Sequence, residues 1–281
     1  MPHIDSNGVK LWVEDVGSGP PLLFLHELAS DLRQWRGQID HFAPTHRCIA
    51  VNARGYPPSD VPADDDAYVW ERQVDDIAAV LDALAIERAV VVGWSMGAYA
   101  ALQFARLHPA RAAAVVAVGV GSGSPAAARP DFQAQMRALA EAWDQGPEAA
   151  IPLIAEGAGR QPLKRNNPAA WEAWLADLKG HSPEGMAQTC RNFQARRPSL
   201  EDFATDFAAL SMPVLLVVGE HDEACLQTTG FLARTIPNAR QLVLPGAGHA
   251  PNLEDPEGFN QMMEGFLRGT ASRSSPSGGR S

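Results

Sequence analysis

Short uninterrupted apolar runs alternate along this chain with segments whose apolar residues recur every three or four positions. An apolar run bounded by turn residues is typical of a strand buried on both faces, whereas the wider spacing is typical of an amphipathic helix. The runs predict strands at 22–25, 48–51, 90–92, 113–118, 213–218 and 241–244, after a hairpin at 2–16. Because helical segments separate these strands, the sequence predicts a mostly parallel sheet with helices on both faces.

The alternation is interrupted once, by residues 120–206. This stretch shows helical segments separated by prolines and has no strand-like run. We therefore predict a core domain formed by residues 1–119 and 207–268, with 120–206 as a helical insert. The tail, 269–281, is rich in Ser, Gly, Arg and Pro and poor in apolar residues, so we predict that it is disordered.

A serine lies between the strand at 90–92 and an alanine-rich helical segment. It is the central residue of the pentapeptide Gly93-Trp94-Ser95-Met96-Gly97. A Gly-x-Ser-x-Gly turn between a strand and a helix exposes the serine hydroxyl at the end of a sheet, and the two glycines allow the strand and the helix to approach closely. Ser95 is thus a candidate nucleophile; the alternative is an ordinary serine that caps the helix.

An acidic and a basic candidate follow two later predicted strands. Asp222 comes after the strand at 213–218, and His249 comes after the strand at 241–244. The carboxyl ends of parallel strands meet at one edge of a sheet, so both side chains are expected near Ser95. A histidine can take the proton of a serine hydroxyl, and a carboxylate can orient that histidine. The alternative for Asp222 is the N-cap of a helix.

The acid has two further candidates, Glu220 and Glu223, in the same Glu-His-Asp-Glu stretch. The motifs occur in the order strand-His-x-x, Gly-x-Ser-x-Gly, strand-Gly-x-x-Asp and Gly-x-Gly-His, and this ordered set resembles the α/β-hydrolase superfamily over about residues 5–268. The resemblance implies an α/β-hydrolase fold with a mostly parallel eight-stranded sheet and a helical cap in the place of the insert. It also implies that Ser95 is the nucleophile, Asp222 the acid and His249 the base.

The same resemblance implies an oxyanion hole made by the backbone N–H groups of Leu28 and Met96. His26 is expected to brace the loop that carries Leu28. Glu27 occupies a position where the family usually has glycine. We expect its carboxylate to point to solvent; the alternatives are that it repels anionic substrates or positions a water molecule.

The insert is rich in large apolar side chains, including Phe132 and Met136. Such residues at helical spacing also suit a core, but an insert that covers a pocket can use them for both purposes. The candidate pocket residues are Glu27, Trp94, Trp143, Trp171 and Trp174. A loop with Arg54, Ser59 and Asp60 resembles a loop of the family and is expected to brace the site. Asn52, where many relatives carry aspartate, is expected to have a structural effect.

Composition and charge narrow the classes of partner and compartment. The chain has a net charge of −10, which argues against nucleic acid as a partner. Its three cysteines are widely spaced and form no Cys-x-x-Cys pair, which favours free thiols in a reducing compartment. With neither a signal-like N-terminus nor a long apolar run, the sequence predicts a cytoplasmic location and no membrane partner.

The resemblance also narrows the reaction, because the dehalogenase and epoxide-hydrolase branches of the family carry aspartate in place of Ser95. It implies hydrolysis of a small to medium carboxylic ester or lactone through an acyl-serine intermediate, without a metal or cofactor. Cleavage of a carbon–carbon bond and cofactor-free perhydrolysis are alternatives that use the same triad. The alternative outside the enzymes is a non-catalytic protein of the same fold that binds a small molecule. The sequence is also compatible with a homodimer.

Overall fold

The computed structural model describes residues 3–274, and these form one eight-stranded sheet with helices on both faces. The sheet order is β1-β2-β4-β3-β5-β6-β7-β8. The first strand pairs antiparallel with the second, and the second with the fourth, while all other pairs are parallel. The predicted fold class is thereby confirmed. The strands are β1 His3–Ser6, β2 Val9–Gly17, β3 Pro21–Leu25, β4 Arg47–Val51, β5 Ala89–Trp94, β6 Ala112–Val118, β7 Val214–Gly219 and β8 Ala239–Leu244.

The central strands are apolar throughout because both of their faces are covered. Their register places Leu23 beside Val91, Val91 beside Val115, and Val115 beside Val214. All four side chains are completely buried. This row across the sheet explains why the strands appear in the sequence as uninterrupted runs rather than as an alternation of apolar and polar residues.

Helices connect the strands and form the insert. The α-helices are α1 Arg36–Phe42, α2 Trp70–Ala83, α3 Met96–Leu107, α4 Arg129–Gln145, α5 Pro147–Ala155, α6 Gln161–Asn166, α7 Pro168–Lys179, α8 Pro183–Gln188, α9 Ala204–Ala208, α10 Glu223–Thr235, α11 Pro251–Glu254 and α12 Pro256–Ser274. Short 3₁₀ turns occupy Leu32–Trp35, Asp65–Tyr68, Ala158–Arg160 and Leu200–Phe203, and a π-helical turn occupies Thr189–Gln194. None of the described helices is long and apolar enough to cross a bilayer.

Helix α2 begins at Trp70, after a separate 3₁₀ turn at Asp65–Tyr68 that is capped by the Asp64 side chain. One predicted boundary differs from the structure. The last helix continues to Ser274, so the start predicted for the tail, at 269, is wrong: its first residues extend α12. The rest of the predicted disordered tail lies outside the described residues.

The segment between β6 and β7 contacts the loops at the carboxyl edge of the sheet. The indole N–H of Trp174 donates to the carbonyl of Ala29 at 2.8 Å, and the N–H of His249 donates to the carbonyl of Gly159 at 2.8 Å. The insert therefore lies over the loops that follow β3 and β8. The division of the chain into a core domain and an inserted cap stays a prediction.

Candidate active site

Ser95 lies at a sharp turn between the end of β5 and the start of α3. Its backbone has φ 51° and ψ −105°, a conformation that L-residues rarely adopt. Its N–H donates to the carbonyl of Val118 at 2.7 Å, and the N–H of Gly97 donates to the carbonyl of His26 at 3.0 Å. Such strain costs about 1–3 kcal/mol and persists only where the surroundings enforce it, as these contacts do here.

Gly93 and Gly97 are required by close backbone approach. A Cβ atom at Gly93 would collide with the backbone of Gly97, and a Cβ atom at Gly97 would collide with the carbonyls of Leu25 and His26. Neither glycine has a positive φ. The missing side chain, rather than the conformational freedom of glycine, therefore permits this turn.

Asp222 and His249 meet at the same edge of the sheet. The distance between His249 Nδ1 and Asp222 Oδ2 is 2.8 Å. Burial alone would raise the pKa of Asp222, but attraction and hydrogen bonding to His249 outweigh it, so this pKa lies below its ordinary value. Asp222 is therefore ionised at neutral pH. It can hold the imidazole with Nε2 as the nitrogen that accepts a proton.

The other two acid candidates point elsewhere. Glu220 is exposed and accepts a hydrogen bond from the N–H of Gly246 at 2.9 Å, while Glu223 is exposed at the first position of α10. Of the three carboxylates that follow β7, Asp222 is the one that contacts His249. The geometry thus favours the acid that the sequence motif implied.

The backbone of His249 is fixed on both sides. In addition to the bond from its N–H to Gly159, its carbonyl accepts the indole N–H of Trp94 at 2.6 Å. Within residues 3–274 no hydrogen bond joins the hydroxyl of Ser95 to His249. Catalytic hydrogen bonds are often long in enzymes without substrate and tighten in the complex, so the arrangement is compatible with proton transfer between the two residues.

The loop predicted to carry the oxyanion hole is braced by His26. The His26 Nε2 accepts the N–H of Ala53 at 2.9 Å, and its Nδ1 donates to the carbonyl of Glu27 at 2.7 Å. Burial lowers the pKa of His26 to about 4, so the ring is neutral at pH 7 and can accept and donate simultaneously. The phenol of Tyr56 donates to the carbonyl of Leu28 at 2.8 Å.

These contacts leave two N–H groups for an oxyanion. Among the described residues, none accepts a hydrogen bond from the N–H of Leu28. The N–H of Met96 belongs to the first residue of α3 and has no acceptor within the helix. Their role as oxyanion donors stays a prediction that these positions support.

The expectation that Glu27 points to solvent is wrong. Its side chain is 1% exposed, and its carboxylate forms an ion pair with Arg160 of the insert. Glu27 Oε2 also lies 3.7 Å from His249 Nε2. Glu27 is buried because the insert covers this loop. Its contact with Arg160 joins positions 133 residues apart.

Arg160 is the residue that the sequence analysis missed. Its guanidinium carbon lies 5.3 Å from the ring centroid of Trp94 and 5.0 Å from that of Trp174. The only local signal is its position after Gly157-Ala158-Gly159, which marks a turn within the insert but does not indicate a partner.

The cavity beside His249 has a volume of about 510 Å³. Its apolar wall comes from Phe132, Met136 and Ile154 of the insert, and Arg160 also lines it. The cavity therefore has one apolar wall and a polar side that includes Asp131, Gln135 and the paired charge of Arg160 next to the candidate base.

The predicted tryptophan lining is not what the structure shows. Trp143 is completely buried and borders a different cleft, together with Asp144 and Arg191. Trp171 and Trp174 are buried against each other, with ring centroids 5.1 Å apart. Trp174 is buried where the insert contacts the loop after β3, and half-buried Phe132 and Met136 face the cavity instead.

The loop after β4 is held by the residues predicted to brace it. Arg54 forms a buried ion pair with Asp76 at 2.6 Å. The hydroxyl of Ser59 donates to the carbonyl of Asn52 at 2.7 Å, and Asp60 accepts the N–H of Lys10 at 2.7 Å. The Asn52 side chain also accepts the N–H of Leu32 at 2.9 Å. All four polar side chains serve the loop rather than the cavity.

One group of potential metal ligands lies within the described chain. The donor atoms of Asp222, Cys225 and His249 lie within 4.8 Å of one another. However, His249 Nδ1 is hydrogen-bonded to Asp222, and the thiol of Cys225 donates to the carbonyl of Gly119 at 3.2 Å. Burial raises the pKa of Cys225 well above its ordinary value, so the thiol stays protonated. Hydrogen bonding accounts for all three side chains.

The comparison with known families defines the class of protein. The family model of the alpha/beta hydrolase fold matches residues 20–256, and the chain therefore belongs to this family. Relatives include an esterase, a 2-hydroxy-6-oxononadienedioate/2-hydroxy-6-oxononatrienedioate hydrolase and epoxide hydrolases, which identifies the chain as a hydrolase without settling its substrate class.

Three individual relatives illustrate this range. A 2-hydroxy-6-oxononadienedioate/2-hydroxy-6-oxononatrienedioate hydrolase of Paraburkholderia phymatum is 28% identical over 284 residues, which cover 92% of this chain and 91% of the relative. A solved thermophilic esterase of Thermogutta terrifontis is 29% identical with a TM-score of 0.83, covering 95% of this chain and 98% of its own. The structure of Est816, described as an N-acyl homoserine lactone degrading enzyme, is 30% identical with a TM-score of 0.81, covering 94% and 100%.

Proposed function

We propose that this hydrolase cleaves a small to medium carboxylic ester or lactone through an acyl-serine intermediate. The observation that carries the proposal is the 2.8 Å contact between His249 Nδ1 and Asp222, at the sheet edge where Ser95 occupies a strained turn. The nucleophile is a hydroxyl, so the covalent intermediate is an acyl ester.

In the proposed mechanism, the Ser95 oxygen attacks the carbonyl carbon while His249 Nε2 takes its proton. The N–H groups of Leu28 and Met96 donate to the oxyanion that forms. When the intermediate collapses, the protonated imidazole gives its proton to the leaving alkoxide. Water then attacks the acyl-serine with His249 as base, which releases the acid and restores the hydroxyl.

The cavity supports a substrate with an apolar portion. Its volume of about 510 Å³ and the side chains of Phe132, Met136 and Ile154 suit an acyl or alkyl chain of small to medium size. The esterase of Thermogutta terrifontis and the lactone-degrading Est816 are similar over nearly the whole chain, which supports an ester or a lactone.

A second candidate is the hydrolysis of a carbon–carbon bond beside a ketone by the same three residues. The similarity to the Paraburkholderia phymatum hydrolase favours it. Perhydrolysis and a non-catalytic binding role are the remaining alternatives. The absence of a cofactor, the cytoplasmic location and the homodimer stay predictions.

The test is hydrolysis of p-nitrophenyl esters of increasing acyl length by the wild type and by Ser95→Ala. We expect turnover by the wild type and a loss of about 10³-fold or more in the variant, because the nucleophile is removed. Ser211→Ala, which changes an exposed serine far from the triad, is the matched control and should keep full activity.

Activity of Ser95→Ala within about tenfold of the wild type would contradict the proposal. Absence of ester and lactone hydrolysis by the wild type would favour the second candidate. A 2-hydroxy-6-oxodienoate would then be the substrate to test, and ligand binding without turnover would identify a binding protein.

A further inference from the structure

The Nε2 side of the candidate base faces a buried ion pair. Glu27 and Arg160 are 1% and 7% exposed, and their side chains are joined directly. Glu27 Oε2 lies 3.7 Å from His249 Nε2, which is just beyond hydrogen-bonding distance. His249 is therefore flanked by two carboxylates: Asp222 contacts Nδ1, and Glu27 lies close to the nitrogen that must accept the proton of Ser95.

Arg160 is held in place independently of Glu27. Its guanidinium lies near the rings of Trp94 and Trp174, and the carbonyl of the preceding residue, Gly159, accepts the N–H of His249. The insert thus fixes the arginine and the backbone of the histidine in one arrangement.

The carboxylate of Glu27 has one fixed cation and one titratable base within reach. A buried carboxylate without a partner is strongly unfavourable, so it pairs with a fixed cation or favours protonation of a neighbouring base. Here the fixed cation is Arg160, and the neighbouring base is His249. If Arg160 were absent, the nearest positive charge for Glu27 would be a protonated imidazole, which cannot accept the proton of Ser95.

We propose that Arg160 is a positioning residue that neutralises the carboxylate of Glu27 beside His249 Nε2, so that the imidazole stays available as the base for Ser95. The insert would thereby control the competence of a site whose other groups come from the sheet edge. This inference rests on the proposed serine chemistry.

Other ionisable groups face His249 and Glu27 from the surrounding elements. Asp222 is hydrogen-bonded to the imidazole, and His26 is neutral at pH 7 and adjoins Glu27 in the chain. Glu254 accepts the N–H groups of Gly248 and Ala250 on either side of His249. Asp131 lines the same cavity as His249 and Arg160. Cys225 lies next to Asp222, and the ring of Tyr56 contacts His26. These groups stay unchanged in the variants below.

The experiment compares the wild type with Arg160→Met, Glu27→Gln and the double variant. The first measurement is an NMR titration of the His249 imidazole, whose signals are assigned by their loss in His249→Asn. The second is kcat/KM for p-nitrophenyl acetate from about pH 5 to about pH 9. Lys164→Met is the matched control, because it removes one positive charge from the insert at a residue that contacts Trp171 rather than Glu27.

In Arg160→Met we expect the titration midpoint of His249 to rise by about one pH unit, with about a tenfold loss of kcat/KM at slightly acidic pH. In Glu27→Gln the midpoint should fall, because the charge of Arg160 then disfavours the imidazolium. The double variant, in which both charges are removed, and Lys164→Met should titrate close to the wild type.

Equal midpoints in the wild type, Arg160→Met and Glu27→Gln would overturn the inference. If Arg160→Met does not fold, the midpoint of Glu27→Gln decides: a downward shift supports the inference and no shift overturns it. A wild type that hydrolyses no ester contradicts the proposed function, whereas the NMR titration tests the charge coupling independently of turnover.

Discussion

The sheet edge and the insert contribute to the site in different ways. Ser95, Asp222 and His249 each follow a strand of the sheet, and the insert also holds the backbone of His249 through the carbonyl of Gly159. The insert supplies Arg160 and the apolar wall of the cavity, and these depend on how its helices pack over the edge. The reacting groups therefore belong to the sheet edge, whereas the insert supplies much of the shape and charge around them.

If this division holds, changes at the sheet edge should affect turnover most strongly. We expect Asp222→Asn to lower kcat for a p-nitrophenyl ester by about 10⁴-fold, because an amide no longer stabilises the imidazolium and favours the wrong tautomer of His249. The measurement is steady-state kinetics at neutral pH. Glu220→Gln, which changes the exposed carboxylate two residues earlier, is the control and should retain activity. Equal losses in both variants would mean that Asp222 has no special role.

A second prediction concerns how the stability of the protein depends on pH, through His26 in the loop at the sheet edge. The pKa of His26 is lowered from 6.5 to about 4 in the folded protein, so the unfolded chain binds a proton there that the folded protein does not. Neutral His26 therefore contributes up to about 3 kcal/mol to the free energy of unfolding above about pH 6.5. This contribution is lost as the pH falls towards 4. The measurement is the free energy of unfolding in urea as a function of pH.

His26→Gln is the matched variant, since the amide can also donate and accept but does not titrate in this range. We expect a weaker dependence on pH between about 4 and 6.5 in this variant. The same dependence in both proteins would show that another group titrates.

A change in the wall of the cavity should have a smaller effect, on selectivity. Phe132→Ala enlarges the cleft, so we expect the ratio of kcat/KM for the octanoate and acetate p-nitrophenyl esters to rise by about tenfold, with Ser95 still reactive. Trp143→Phe is the control, because Trp143 borders a different cleft and should leave the ratio unchanged. If this ratio changes in Trp143→Phe but not in Phe132→Ala, Trp143 lines the substrate site, as the sequence suggested, and Phe132 does not.

Part of the fold and site could be predicted because its signals are local. The apolar runs predicted the central strands, and the turn residues predicted the sharp bend at Ser95. The positions after two strands placed the acid and the histidine at this edge, and the family resemblance selected Asp222 among three carboxylates; the contact between Asp222 and His249 is in the structure. The start of the tail was wrong by several residues, because α12 continues through a sequence of low apolar content.

The sequence by itself determined the sheet and the edge at which the chemistry lies, because burial on both faces leaves a continuous apolar signature in each strand. Only the tertiary structure decided the surroundings of His249. Whether Glu27 faced water or a cation depended on Arg160, which lies 133 positions further along the chain, and on the packing of the insert between them. Periodicity reports which face of an element is buried; it does not report which distant residue that face meets.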